Sequence, residues 1–243
     1  MPQTNTFLKL FILLLITSCS RENEETNFFI NQTFQTEASA SVGPVRVFTQ
    51  NGEITDTAFI REFITRNTTG SGLSNRFLFN TQTQQMDPSQ SLKITISENN
   101  TARIERYFLF APTPLEIHEA EFTYISPSEL LFIERDTIVS TFYSDQYCWD
   151  MAFYKILNPF PQKICTPAGT GYETCRWRHS FSLEISGQQL LLPMVLSMAV
   201  SSGHCISSGN RDQWKSFNPA SISILQATDT IAFQAKKVIL RKL

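Results

Sequence analysis

The stretch SLKITISENNTARIERYFLF, Ser91 to Phe110, decides the fold class. Leu92, Ile94 and Ile96 fall on one face and Lys93, Thr95 and Ser97 on the other, the period of two that marks a half-buried strand. Glu98-Asn99-Asn100-Thr101 follows as a turn, because Asn tolerates left-handed backbone, and ARIERYFLF returns as the partner strand. Working outward, EAEFTYIS and ELLFIERD, split by Pro127 between two serines, predict a second hairpin that TIVSTFY extends. Further strands are expected in HSFSLEIS, in LLLPMVLSMAV after the Gly187 turn, in SISILQA and within DTIAFQAKKVILRKL. Pro193 places its strand at an edge or a bulge.

Two stretches carry a helical signal. In TDTAFIREFITRN, Phe59, Ile60, Phe63 and Ile64 repeat at helical spacing, Thr55 or Asp56 is available as cap, and Asn67 and Gly70 end the pattern. DQYCWDMAFYKIL suits a strand or a short helix, and Pro159 and Pro161 stop it either way. Many short strands with few helices predict a mainly β protein. The first expectation is an antiparallel barrel of about eight to ten strands, lipocalin-like in shape, and the second a curved sandwich, with one or two short helices in either case. The GxW signature of true lipocalins is absent.

The chain opens with a different signal. Lys9 precedes an apolar run, Leu10 to Ile16, that ends in Thr17, Ser18 and Cys19. The run is far short of the roughly 20 residues that span a bilayer, and its layout is that of a secretory signal peptide. Ile16-Thr17-Ser18-Cys19 resembles the lipobox of bacterial lipoproteins, an aliphatic residue and two small ones before a lipid-bearing cysteine. The resemblance implies cleavage after residue 18, a lipid on Cys19 and attachment to the bacterial outer membrane, on its periplasmic face or at the cell surface. Each buried methylene contributes about 0.8 kcal/mol, so two or three acyl chains hold permanently.

Ser20 to Val42 is polar and Ser/Thr/Ala-rich with little to bury beyond Phe28, Phe29 and Ile30. We read 19–42 as a lipidated cysteine and flexible tether with a reach of roughly 25 to 30 Å, and 43–243 as a single β-rich domain. The acidic cluster Glu22, Glu24 and Glu25 resembles the export signal of surface-displayed lipoproteins of Bacteroidota. The cadence of VRVFTQNGEITD and of the DTI-led last strand is similar to uncharacterised lipoproteins of the same group, a likeness that implies no particular activity.

Without residues 1–18 the chain loses only Lys9 of its 20 basic side chains, leaving 19 against 22 acidic ones and a net charge of −3. No basic field exists to attract nucleic acid. After Cys19, four cysteines remain: Cys148, Cys165, Cys175 and Cys205. They contain no C-x-x-C, and an even count behind a secretory signal favours disulfides. Cys165 and Cys175 flank the turn-rich TPAGTGYET and are the preferred pair, leaving Cys148 with Cys205; sequence alone permits three pairings, and four free thiols or a site using His204 beside Cys205 are the alternatives.

Catalytic motifs are missing: there is no G-x-S-x-G and no H-E-x-x-H. In His118-Glu119-Ala120-Glu121 the histidine falls on one strand face and both glutamates on the other, so one strand cannot bring them to one ion. We expect no metal and no cofactor. Paired carboxylates of a glycan hydrolase leave no local spacing and are not visible at this level. Arg176-Trp177-Arg178 is the candidate ligand contact, and Trp149, Trp177 and Trp214 serve either sugar stacking or core packing. The 20 phenylalanines line a cavity or fill a solid core.

Asp56-Thr57, Asp136-Thr137 and Asp229-Thr230, each followed by an aliphatic residue, resemble the O-glycosylation motif of exported Bacteroidota proteins, which makes Thr57, Thr137 and Thr230 candidates. Asp-Thr is also ordinary capping chemistry. The functional expectation is an anchored envelope lipoprotein whose domain binds a small ligand, a glycan or an envelope protein without catalysis. A glycan-directed hydrolase is the alternative.

Overall fold

A computed structural model describes residues 27–68, 77–86, 91–107, 113–143, 157–158, 164–201, 205–208 and 214–243. Eight antiparallel strands form a closed ring: β1 (Gln32–Thr49), β4 (Leu92–Ser97), β5 (Thr101–Arg106), β6 (Glu116–Ser126), β7 (Glu129–Tyr143), β10 (Tyr172–Ser186), β11 (Gln189–Ser201) and β14 (Thr230–Lys242). The barrel is the first of the two architectures expected. Each strand pairs with its predecessor around the ring, and the last, β14, closes on β1. Short additions decorate it. β2 (Gly52–Ile54) and β3 (Thr83–Gln85) pair with β1, β9 (Ile164–Gly169) with β10, and β12 (Cys205–Ser208) with β11, while β8 (Leu157–Asn158) and β13 (Ser216–Phe217) make a separate two-stranded piece.

The predicted hairpins form at the registers their turns demand. Ser97 faces Thr101 across a loop in which Asn99 and Asn100 take φ of 63° and 57°, the left-handed conformation that Asn accepts. Helix α1 (Thr57–Thr68) starts where Asp56 Oδ1 accepts from the Ala58 and Phe59 amides at 2.9 and 3.2 Å, an N-cap. It buries Ile60 and Ile64 against the ends of β1, β11 and β14, through Val47, Leu196, Met198 and Ala232.

Two expectations are corrected. The stretch 27–42 is not a tether: Asn27–Phe29 forms a 3-10 turn and β1 begins at Gln32. Phe29 and Phe34 are buried in the core with ring centroids 5.9 Å apart. Pairing with β14 on one side and β4 on the other satisfies the backbone of this polar segment, and its inward Thr36 and Ala40 are small enough for a crowded interior. SISILQA is likewise no strand. Pro219–Ile224 is a 3-10 helix, because Asn218 caps it through Ala220 N and Pro219 presets its first turn. DQYCWDMAFYKIL lies outside the described residues except for Leu157 in β8.

The interior is layered. Toward the end that carries the β4–β5, β6–β7 and β10–β11 turns it is apolar, with Phe34, Ile94, Ile96, Leu130 and Phe132 fully buried, and Leu92, at the other end of β4 opposite Arg106, is fully buried too. Phe132 stacks on Phe181 at 5.1 Å and meets Phe122 at 5.4 Å, and Trp214 stands edge-on to Phe181 at 5.4 Å. The outer face of β1, β11 and β14 is covered as well, Phe48, Val195 and Phe233 packing with Leu157 and Phe217 of the small sheet.

One part of the wall is breached. β10 and β11 pair only over Glu184–Ser186 and Gln189–Leu191, then part, with β9 taking the edge of β10 and β12 that of β11. Pro193 sits where β11 has only β14 as a ladder partner among the described residues, as an edge proline should. Substituting Phe132→Ala should lower unfolding free energy by about 3–5 kcal/mol in urea denaturation; a loss under about 1 kcal/mol would mean that the aromatic row is not the barrel's packing centre.

Candidate functional site

The wall formed by β5, β6 and β7 ends, away from the apolar turns, in a cluster of charges. Strand alternation turns Ala102, Ile104 and Arg106 inward from β5, Phe122, Ala120, His118 and Glu116 from β6, and Leu130, Phe132 and Glu134 from β7. Register sets Arg106 opposite Glu116 and Glu134 opposite Ala120, so the charged residues follow the last aromatic layer.

Arg106 ties two acids together. Its Nη2 donates to Glu134 Oε1 at 2.5 Å and its Nη1 to Glu116 Oε2 at 3.2 Å, while the guanidinium carbon lies 4.8 Å from the Trp214 ring centroid. His118 closes the square, with Nε2 3.3 Å from Glu116 Oε2 and Nδ1 3.4 Å from Glu134 Oε2. Exposure rises steadily outward: the side chain of Glu134 is 2% exposed, His118 20%, Glu116 48% and Asp136 79%. The cluster therefore runs from a buried acid to an open rim.

Burial, and then the charges of Glu116 and Asp136, raise the Glu134 carboxyl above its ordinary value in spite of Arg106 and His118. Burial also pushes Glu116 upward, but the hydrogen bond with His118 and the charge of Arg106 outweigh it and the carboxyl ends below its ordinary value. Lys215 donates to the Ser180 carbonyl of β10 within the breach, and burial lowers it to about 8, with Glu134 acting against the shift. His179, at the irregularity where β10 passes β7, is lowered to about 4 by burial of its ring, then by Arg106 and Lys215, although part of the residue stays open to solvent.

Three buried polar atoms of this cluster have no hydrogen-bond partner among the described residues: Arg106 Nε, His118 Nδ1 and Trp214 Nε1. Leaving such a group unmade costs about 1–3 kcal/mol, and native interiors rarely tolerate it.

The sequence-predicted residues fare unevenly. Cys165 and Cys175 face each other across β9 and β10 with sulfurs 2.17 Å apart, the preferred pair. Cys205 opens β12, and Cys148, Trp149 and His204 lie outside the described residues, as does Cys19. Arg176 and Arg178 are exposed on one face of β10 while the half-buried Trp177 turns to the other, so the three do not converge. Thr57 and Thr137 are exposed and Thr230 half-buried; Asp56 caps α1, and Asp229 accepts from Gln226 N at 2.8 Å in the turn before β14, so two of the three aspartates serve local structure. His118 does face away from Glu119 and Glu121 as read. Glu116, two residues back on the same face of β6, was missed although strand alternation reaches it; Arg106 of β5, Glu134 of β7 and the adjacent Trp214 and Lys215 were not legible, because they come from other strands and from a distant segment.

Other groupings offer less. Cys165, Glu173 and Cys175 alone among the described residues have metal-like spacing, and the two cysteines are joined. The groove at the β1 bulge has only Glu37 and Arg241 as charged groups in its lining. Fold and site thus define a closed eight-stranded antiparallel barrel with a charged mouth. Comparison with family models, curated proteins and solved structures finds no match for the chain.

Lys215 supplies a pH test. Its folded value near 8 lies below the ordinary 10.5, so the native state sheds this proton first and the group's contribution to stability rises as pH climbs from about 8 to 10.5. Tyr107, raised to about 12 by its hydrogen bond to Glu105 and then by burial, acts in the opposite sense above pH 10. Lys215→Met should remove the lysine's rise, up to about 3 kcal/mol across that window, in denaturation curves taken alongside the parent; parallel pH profiles would show that the lysine is not buried as described.

Proposed function

We propose that the protein is an envelope lipoprotein, anchored through Cys19, whose barrel binds a small polar ligand at its mouth without transforming it. One observation carries the reading: polar atoms buried without a partner among the described residues converge on an ion-paired acid at the rim end of the β5–β7 wall. An eight-stranded ring has room inside for side chains or for one small ligand. A buried ion pair is poor value for stability, since apolar replacements often do as well, so a charged cluster above an aromatic core is better explained by something it receives. The lipid anchor rests on the sequence of residues 1–19. No helix among the described residues is long and apolar enough to cross a membrane.

A glycan-directed hydrolase is the second reading. It is favoured by the opposite shifts of Glu134 and Glu116, the pattern that divides an acid from a nucleophile. Against it, Arg106 engages both carboxylates at once.

Protein purified in detergent from its own host should carry a lipid on Cys19 and release a non-covalent small molecule in native mass spectrometry. Cys19→Ser should move the chain from the membrane to the soluble fraction. Glu134→Gln, which keeps the side-chain volume, should reduce ligand retention roughly tenfold. Turnover of a glycan, abolished by the same substitution, would instead establish the hydrolase.

A further inference from the structure

We propose that the ligand of the mouth is a neutral sugar residue, an inference that rests on the ligand-binding reading above. The site presents two kinds of group. Arg106 Nε and Trp214 Nε1 are buried, have no partner among the described residues and are able only to donate. Ionised Glu116 and Asp136, with side chains 48% and 79% exposed, can only accept. His118 Nδ1 takes either part according to its tautomer. A ligand that answers both kinds must accept and donate, which a hydroxyl does through one oxygen and neighbouring ring hydroxyls do over several ångströms.

Charge decides between neutral and ionic candidates. Arg106 and Lys215 are balanced by Glu134 and Glu116, and Asp136 at the rim adds a negative charge. Lys236 is buried on β14 and already engaged in a contact of its own. A phosphate or carboxylate would therefore enter past an uncompensated acid. An amine could satisfy the acids but would leave the indole and guanidinium N–H groups unmet.

Trp214 is edge-on to Phe181 with the Arg106 guanidinium over its ring, so what it offers a ligand is the indole N–H. This N–H and that of Arg106 are both buried. The Arg106–Glu134 pair stays in place as the fixed end of the site.

The test offers the full chain in detergent to an immobilised panel of neutral glycans ending in glucose, galactose, mannose or N-acetylhexosamine, with glucuronate-terminated and phosphorylated counterparts beside them. Calorimetry with the free sugar follows. A neutral glycan should bind, and Trp214→Phe and Glu116→Gln should each weaken it roughly tenfold, the loss of one good hydrogen bond, with unchanged circular dichroism. Asp136→Asn, at an exposed position of β7, should weaken it by a smaller factor, again with unchanged circular dichroism.

Binding that none of the three variants alters would place the sugar elsewhere and overturn the proposal. Binding confined to the charged glycans would overturn it too while leaving a ligand-binding mouth. A retained molecule in the native mass spectrum that is not a sugar would do the same. Neither glycan binding nor any retained molecule would overturn both this inference and the reading it rests on.

Discussion

The pairing of β1 with β14 is the contact on which the rest depends. It joins the first strand of the barrel to the last over registers from Phe34↔Lys242 to Thr49↔Thr230, and without it the meander would be an open sheet with two exposed edges. Closure also sets the interior width. Two bulges in β1, between Thr36 and Ala40 and between Val42 and Val45, bend the strand around the core as bulges do in barrels. At the first, the Thr36 hydroxyl takes over as partner of Leu92, accepting from its N at 3.1 Å and donating to its O at 3.3 Å. At the second, the buried Gln234 donates to Gly43 O at 3.0 Å and exchanges hydrogen bonds with both the N and O of Leu78. Side chains thus stand in for backbone wherever the closing ladder slips.

The breach between β10 and β11 is the complement of that closure. A ring that must hold β9 and β12 on the same two edges cannot also keep β10 and β11 paired along their length. Trp214 and Lys215 meet the consequence: the indole packs on Phe181 inside the barrel, and the ammonium donates to the Ser180 carbonyl in the parted stretch of β10. The lysine's lowered pKa and the tryptophan's unpartnered N–H both follow from residues of one short segment being taken into a gap in the wall. The mouth therefore depends on sequence far from the strands that carry its acids.

How much of this the sequence discloses depends on the range of the interaction. Alternation in LKITIS, the Asn pair at its turn and the cap at Asp56 are local, and each element appears where its residues indicate. The misreadings came from weighing a segment alone. QTFQTEASAS looks too polar to order itself, yet paired neighbours on both sides and the buried Phe34, Thr36 and Ala40 suffice. SISILQA has the apolar content of a strand, but Asn218-Pro219 starts a helical turn before it. His118 was placed on the right face, while its partner Glu134 lies 16 residues on and Arg106 12 residues back; only the hairpin registers bring them together, and no spacing rule encodes three strands at once.

The contrast along the wall of β5, β6 and β7 argues for what the mouth is for. Below the aromatic row every inward position near the turns is apolar or small, and packing density alone can maintain it. Above it, the inward positions of β5, β6 and β7 are Arg106, Glu116, His118 and Glu134, although Leu or Phe at Arg106 and Glu134 would fill the same space and escape the desolvation of both ions. Rim charges alone could keep that end soluble, as Asp136 and Glu116 do. Glu134 is too deep for that purpose at 2% exposure, and Arg106 uses its two terminal nitrogens to hold the acids while its third nitrogen, Nε, has no partner among the described residues. An arrangement that fixes its charges firmly and leaves its donors unsatisfied has the preorganisation of a binding site, with the aromatic row as the rigid floor that keeps the geometry from relaxing when the site is empty.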